Sequence, residues 1–481
     1  MTGQPDPPRR MFTMLPDEIP LTAKRELLQQ VAGLIDWRPL REQVRPYFAK
    51  NGRPSIDPVV MVKMMLAGYL FGIPSDRRLV EECSDSFALR EFLGYELDEK
   101  LPTHATFTHW RQRLGAAFFR GLLHDVIRQL AALGLEFSPA RSIDATSVKA
   151  QASKQGPVVE RPSEVAVEQF VADYFAGDPP PPEADDPPPP QAEAPTAAQG
   201  EPAPTTPLNL HDPQARLQRK RGERAEFRYH ASFSADVATG LITDAVATPL
   251  EQAETAVEHV THDPLGVTEV VADGKYDHGA TLAALQAQGV TTYVPKTSHD
   301  KPGQLSKDEF TYQPATDSYL CPQGQLLQHS RFDPHKRLHF YTARSSACGH
   351  CPRRAGCTSA KRRVVTRTET EGAREQAVRE GPRYRELQRA RRINEHLHML
   401  GKRDHNLRRA RGRGLEAMGI QAALTAVAIN LKKAIRLGYG GSPVHFVLHA
   451  VRHFVRRAWP RGRTPLWRLT GACPHSRQGA S

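Results

Sequence analysis

The chain has 481 residues, 39% of them hydrophobic, with 40 prolines, six cysteines and a formal charge of +12, for a pI near 9.5. That length accommodates two or three domains, and six cysteines in it do not make a disulfide scaffold. No run of about 20 apolar residues offers a bilayer span, and the opening MTGQPDPPRRMF lacks the apolar stretch of a secretory leader, so a cytoplasmic protein with no membrane partner is expected. The positive excess suits an acidic partner, most simply the phosphates of nucleic acid, although a solvated basic surface would give the same total.

Residues 15–133 read as an all-α domain. KRELLQQVAGLI, DPVVMVKMMLAGYLFG and HATFTHWRQRLG space their apolar residues three and four apart. Asp57 is the expected N-cap, Pro58 follows at the first helical position, and Gly72 ends that helix. Thr103 or Thr106 starts a helix carrying Trp110, Arg111 and Arg113. Short helices with arginines on the last one suit a DNA-binding unit of helix-turn-helix character, and equally a dimerising bundle.

From 138 to 300 the pattern is α/β. A strand begins at ARSIDATSV, and then 177–207, rich in Pro, Ala and Glu, reads as a disordered, solvated insert. FRYHASFSADVATGLITDAVA gives two alternating strands around a Thr239-Gly240 turn. A helix near Gln252–His259, the strand VTEVVAD, a helix near Ala280–Gln288 and the strand VTTYVPK follow, which is the order of a mixed central sheet. Residues 305–370 form a small Cys-rich insertion. Residues 373–440 are helical and basic, closing on GLEAMGIQAALTAVAINLKKAIRLG, and 441–481 make a basic tail interleaved with aromatics.

Three acids stand where a metal cage would need them. Asp144 sits in the strand SIDAT, Asp273 ends the apolar run VVA, and Glu395 lies in the helical segment QRARRINEHLHMLGK. Ligands gather at strand carboxyl ends in α/β sheets. Two divalent ions held by such carboxylates activate an attacking oxygen and stabilise a leaving one in phosphodiester chemistry, and Mg²⁺ or Mn²⁺ suits oxygen donors. Gln388, Arg391, Glu395 and Lys402 share one helix face, where the cations would hold phosphates, although an isolated RxxxE is more readily an exposed i,i+4 ion pair.

These blocks resemble bacterial insertion-sequence DDE transposases with an RNase H-like core, of the IS-five and IS-eleven-eighty-two groups. SIDAT, VVADGKYDHG and the spacing of Arg391, Glu395 and Lys402 carry the likeness for the core, and RPSIDPVVMVKMMLAGYLFGIPSDRRLVEEC with LPTHATFTHWRQRLG for the preceding helical domain. It runs from about residue 15 to 436. The resemblance implies catalytic, Mg-binding roles for Asp144, Asp273 and Glu395, with Arg391 and Lys402 on DNA. It also implies end cleavage and strand transfer on terminal inverted repeats and target DNA, by a homodimer pairing two ends at the nucleoid. One departure is Gln388, where the family carries a tyrosine. A nuclease on the same core, or a transposase-derived DNA-binding regulator that no longer cuts, are the alternatives.

Cys321 and the run CGHCPRRAGC, with Cys348, Cys351 and Cys357, could hold a structural Zn²⁺, His350 being a substitute ligand; Cys83 and Cys473 stand apart. From Lys361 onward, basic runs flank the acidic helix. Arg403, Arg408, Arg409 and Arg411, with Arg111 and Arg113 of the helical domain, are the further candidates for phosphate contacts.

Overall fold

A computed structural model describes residues 21–48, 55–163, 165–176, 205–219, 222–297, 303–335 and 337–439. The basic tail and most of the Pro-rich insert (177–204) lie outside them.

The amino-terminal part is helical: α1 (Ala23–Leu34), α2 (Pro39–Val44), α3 (Pro58–Leu70), α4 (Asp76–Asp85), α5 (Phe87–Leu93) and α6 (His104–Ala132). Side-chain oxygens begin four of them. Thr22, Asp57, Ser75 and Ser86 each accept a backbone N–H that the first turn leaves unpaired, and Pro58 follows Asp57 as expected. Thr103 precedes α6 without such a bond. Helix α6 bends at Gly115 (φ 73°, ψ 170°), and the N–H freed there, on Ala116, donates to the Glu416 carboxylate of a distant helix.

Next come β1 (Ala140–Lys149), β2 (Val158–Pro162), α7 (Val167–Ala176), β3 (Thr205–Asn209), β4 (Arg216–Gln218), β5 (Glu226–Asp236), β6 (Ile242–Thr248), α8 (Thr255–His262), β7 (Glu269–Val271), α9 (Gly279–Ala287) and β8 (Thr291–Tyr293). The central sheet runs β4-β5-β1-β7-β8, with β6 also on β5. Strands β1, β7 and β8 are parallel, while β5 is antiparallel to β1 and to β6. This mixed sheet with its helices fits an RNase H-like core. Residues 205–207, assigned from composition to the disordered insert, instead pair in β3 with β2. Leu208 and Asn209 are buried at the end of that strand, and proline at an edge position costs no needed donor. The β5–β6 turn places Gly240 at φ 65°, and a Cβ there would lie 2.1 Å from Ile393 Cδ1 and 2.3 Å from Lys433 Nζ.

A second sheet, β13-β12-β11-β10-β9, is built from β9 (Thr311–Gln313), β10 (Ser318–Leu320), β11 (Leu326–Asp333), β12 (Leu338–Thr342) and β13 (Val364–Thr368), with α10 (Ser345–Gly349) between β12 and β13. Its own small core joins Phe310, Tyr319, Leu327, Tyr341 and Val365. Helices α11 (Glu371–Gln376), α12 (Pro382–Ala390), α13 (Arg392–Asp404) and α14 (Gly414–Arg436) follow. The segment QRARRINEHLHMLGK therefore spans two helices that abut at Arg391 (φ −54°, ψ −26°).

Helix α14 has the length and apolarity of a membrane span, yet 72% of its apolar window is buried inside the protein. It packs against α6, α3 and α1 and also against β6 and β5. One continuous core thus runs from Leu28, Met64 and Phe119 through Leu424, Val427 and Leu431 to Phe233 and Ala245. The two buried amides of α14 have partners. Asn430 brackets Ile242, accepting from its N–H at 2.8 Å and donating to its carbonyl at 2.7 Å, and Gln421 holds the backbone of Asn406, Arg409 and Arg411. A second tie is ionic. Asp244 of β6, fully buried, accepts from Arg120 (2.7 and 2.6 Å) and His124 (2.8 Å) of α6 and from His259 of α8 (2.7 Å), while His259 also meets Ser232 of β5 at 2.9 Å.

Candidate active site

Parallel pairing sets Ser142 opposite Val271. Two residues further along each strand direction stand Asp144 and Asp273, so strand parity sends both side chains to the same face. Asp144 Oδ1 accepts its neighbour Ala145 N–H at 2.9 Å, and Asp273 Oδ1 accepts Lys275 N–H at 3.0 Å, capping the short 3-10 turn Gly274–Tyr276. A third carboxylate joins them. Glu251, in the connection between β6 and α8, places an oxygen within 4.8 Å of oxygens on Asp144 and Asp273. Its Oε2 accepts Lys275 Nζ at 2.6 Å.

Burial raises the Asp144 carboxyl to about 6; the charges of Asp273 and Glu251 add to the rise, while the Ala145 N–H and Arg391 oppose it. A half-buried set of hard oxygens fits Mg²⁺ or Mn²⁺ rather than a thiophilic ion. Beside it, two buried polar atoms lack partners, His398 Nε2 and Asn394 Oδ1.

Helix α13 lies along the same face of β1. Asn394 Nδ2 donates to Ser142 Oγ at 2.8 Å, His398 Nδ1 stands 3.9 Å from Asp144 Oδ2, and Lys402 Nζ donates to Thr146 Oγ1 at 2.6 Å. The match is one of pitch: four helical residues rise about 6 Å, close to two strand residues. Glu395 sits one turn before His398 and is exposed. It is not among the carboxylates that close within 4.8 Å. Burial, with the Lys402 charge, drives the His398 imidazole down to about 3, so it is neutral. Gln388 of α12 donates to the carbonyls of Ala272 (3.4 Å) and Tyr293 (2.9 Å), tying the ends of β7 and β8 beside Asp273.

The expected phosphate-binding cations separate into two groups. Arg391 acts on the Asp144 carboxylate, Arg408 and Arg409 are exposed, and Arg409 lines a basic groove with Lys149, Lys154, Arg219 and Arg224. Arg113 is exposed and lies over the Phe48 ring at 4.7 Å. Others are engaged within the protein. Arg111 forms a two-pronged pair with Asp76, Arg403 pairs with Asp404, and Arg411 stacks on Tyr69 at 4.1 Å while donating to the carbonyls of Gly68 and Ile73.

Cys321, Cys348, Cys351 and Cys357 are all free thiols at one end of the small sheet. Gln323 and Gln325 N–H groups donate to Cys321 Sγ, at 3.4 and 3.3 Å. Burial pushes the Cys357 thiol up, and the other three thiols add to that rise, so the four are near neighbours. No three of their sulfurs come within 4.8 Å of one another.

Glu251, His398 and Asn394 were missed from the sequence. Glu251 had no local signal, since it lies in an irregular loop. His398 and Asn394 were visible as polar residues at i+4 spacing on the buried side of α13, beside the Leu397 that anchors it.

Comparison with known proteins adds two family matches. A model described as Transposase domain (DUF772) matches residues 18–113, and one described as Transposase DDE domain matches residues 320–435. A solved piggyBac transposase synaptic complex with hairpin DNA is similar over 95% of this chain and 86% of that one, at 9% identity and a TM-score of 0.32. No curated protein matches the chain.

Proposed function

Since this chain is a DDE transposase of the insertion-sequence kind, we propose that Asp144, Asp273 and Glu395 hold its catalytic metal ions, and that it cleaves the terminal inverted repeats of its element and joins them to target DNA. The observation that carries this reading is the register of β1 on β7, which brings Asp144 and Asp273 to one face with α13 laid along it. The divalent ions, Mg²⁺ or Mn²⁺, supply Lewis acidity at the attacking and leaving oxygens of a phosphodiester. The chain's own groups do the rest. Asp144 stays in place through the Ala145 N–H, Gln388 fixes the strand ends behind Asp273, and Arg391 offers a cation beside the carboxylates for the scissile phosphate. Lys402, reaching Thr146, sets the height of α13 and so of Glu395.

DNA is the partner, and phosphate contacts are assigned first to the exposed Arg408, Arg409 and Arg113 and to the groove around Lys149 and Arg224. Two ends must be processed together, which favours a homodimer at the nucleoid as the working unit. The four neighbouring thiols support one structural Zn²⁺ in the small sheet, closing on the metal when it binds; zinc analysis of the purified protein checks it.

The test is cleavage of labelled DNA bearing the element's own end, with Mg²⁺ or Mn²⁺. Wild type nicks the end, while Asp144→Asn and Glu395→Gln bind it and leave it whole. Equal cleavage by Glu395→Gln would remove Glu395 from the site, and a folded, end-binding wild type that never cuts would favour a non-catalytic regulator.

A further inference from the structure

Glu251 belongs to none of the motifs that brought Asp144, Asp273 and Glu395 together, yet its carboxylate is the one that reaches the two aspartates. Its side chain is 19% exposed, whereas that of its partner Lys275 is 66% exposed. Lys275 is doubly placed: its backbone N–H holds Asp273 and its ammonium holds Glu251. Three carboxylates gathered this closely repel one another unless a cation stands among them, and Lys275 supplies one in direct contact with Glu251. His398 Nε2, buried and unpartnered, belongs to the imidazole whose Nδ1 stands 3.9 Å from Asp144 Oδ2, so a polar atom without a partner lies beside the same carboxylates.

We propose that Glu251 is a fourth metal-holding carboxylate, and that Lys275 is a resident counter-cation which releases Glu251 when a divalent ion enters. This rests on the assignment of Asp144 and Asp273 above. The released ammonium, on a long and mostly exposed side chain, then faces the phosphate brought by the DNA strand. The lysine and the metal therefore compete for one carboxylate, which gives the two residues opposite signatures. Removing the carboxylate weakens metal binding; removing the ammonium strengthens it.

The test is Mn²⁺ binding to the full-length protein without DNA, followed by the electron paramagnetic resonance of free Mn²⁺, for wild type, Glu251→Gln, Lys275→Gln and Asp144→Asn. Glu251→Gln is expected to raise the Mn²⁺ dissociation constant about 10- to 100-fold, the range for loss of a group supporting a metal site. Lys275→Gln is expected to lower it by roughly ten-fold, the mirror of removing a local competitor. Thermal unfolding without metal confirms that each variant is folded. An unchanged isotherm in Glu251→Gln, or an unchanged or weaker one in Lys275→Gln, overturns the proposal; if Glu251→Gln does not fold, Lys275→Gln alone decides it. Failure of the underlying assignment looks different, because wild type would then bind no Mn²⁺, or Asp144→Asn would bind it as wild type does.

Discussion

Replacing Asp244 by alanine tests whether the helical part and the catalytic sheet are one cooperative unit. The carboxylate is fully buried, and its loss leaves Arg120, at 17% exposure, with Glu258 alone and leaves His124 and His259 facing a void. Breaking a buried ion pair from one side costs about 3–5 kcal/mol, and the remaining Glu258 contact places the expectation near 3. With a urea slope of roughly 3 kcal/mol per molar, the unfolding midpoint falls by about 1 M. Unfolding followed by fluorescence of Trp37 and Trp110, both buried in the helical part, should coincide with the far-UV circular dichroism of the whole. The sign of the pH effect is also fixed. Burial alone would raise the Asp244 carboxyl, but His124, His259 and Arg120 hold it well below its ordinary 3.8. Its contribution is therefore complete above that value and fades as the pH falls below it, so the gap between wild type and variant closes in acid. A midpoint shift under about 0.3 M, or two separated transitions, would refute the shared-unit interpretation.

Asp144 behaves in the opposite sense: its carboxyl is raised to about 6, so metal binding weakens as the pH falls through 6. Cleavage at limiting Mg²⁺ should drop there and recover with excess metal. In metal-free protein the raised value costs stability above pH 6, and Asp144→Asn should gain about 2–3 kcal/mol at pH 7 in thermal unfolding. Arg409→Ala should weaken DNA binding at every sequence and reduce the salt slope by about 1, measured by titration at several salt concentrations. Arg411→Ala should leave that slope alone and lower stability by about 2 kcal/mol, because its donors serve the carbonyls of Gly68 and Ile73. Gly240→Ala meets both a positive φ and the Ile393 side chain; a loss of about 1–3 kcal/mol is expected, with slower end cleavage as α13 is pushed from β1.

Much of this was legible because local pattern and global position coincide. Asp144 interrupts a strand and Asp273 follows the end of one, and a polar residue in such a place has few reasons to be there. The β5–β6 hairpin and the Asp57-Pro58 start of α3 follow from similarly local signals, whereas the strands of the small sheet were not read from the Cys-rich segment. What the chain did not disclose depends on neighbours far apart in sequence. Glu251 reaches the site only because β6 lies on β5 and β5 on β1, an order that no spacing encodes. The basic residues look alike on paper, and only packing separates Arg411, closed over Tyr69, from Arg409 in the open groove. The helical domain likewise seemed self-contained, since its sharing of α14 with the sheet depends on an apolar stretch some 280 residues away from α6 (Ala132 to Gly414).

That last helix also sets the timetable of folding. Every residue before Gly414 is synthesised first, and at about 5–20 residues per second that takes tens of seconds. Until then the core shared by Met64, Phe119 and Phe233, each fully buried in the finished protein, lacks the helix that packs against α3, α6 and β5. The nascent chain thus carries an unclosed core until α14 emerges. Any product that stops short of α14 should be cleared as unfolded protein rather than persist as a partial, DNA-binding competitor.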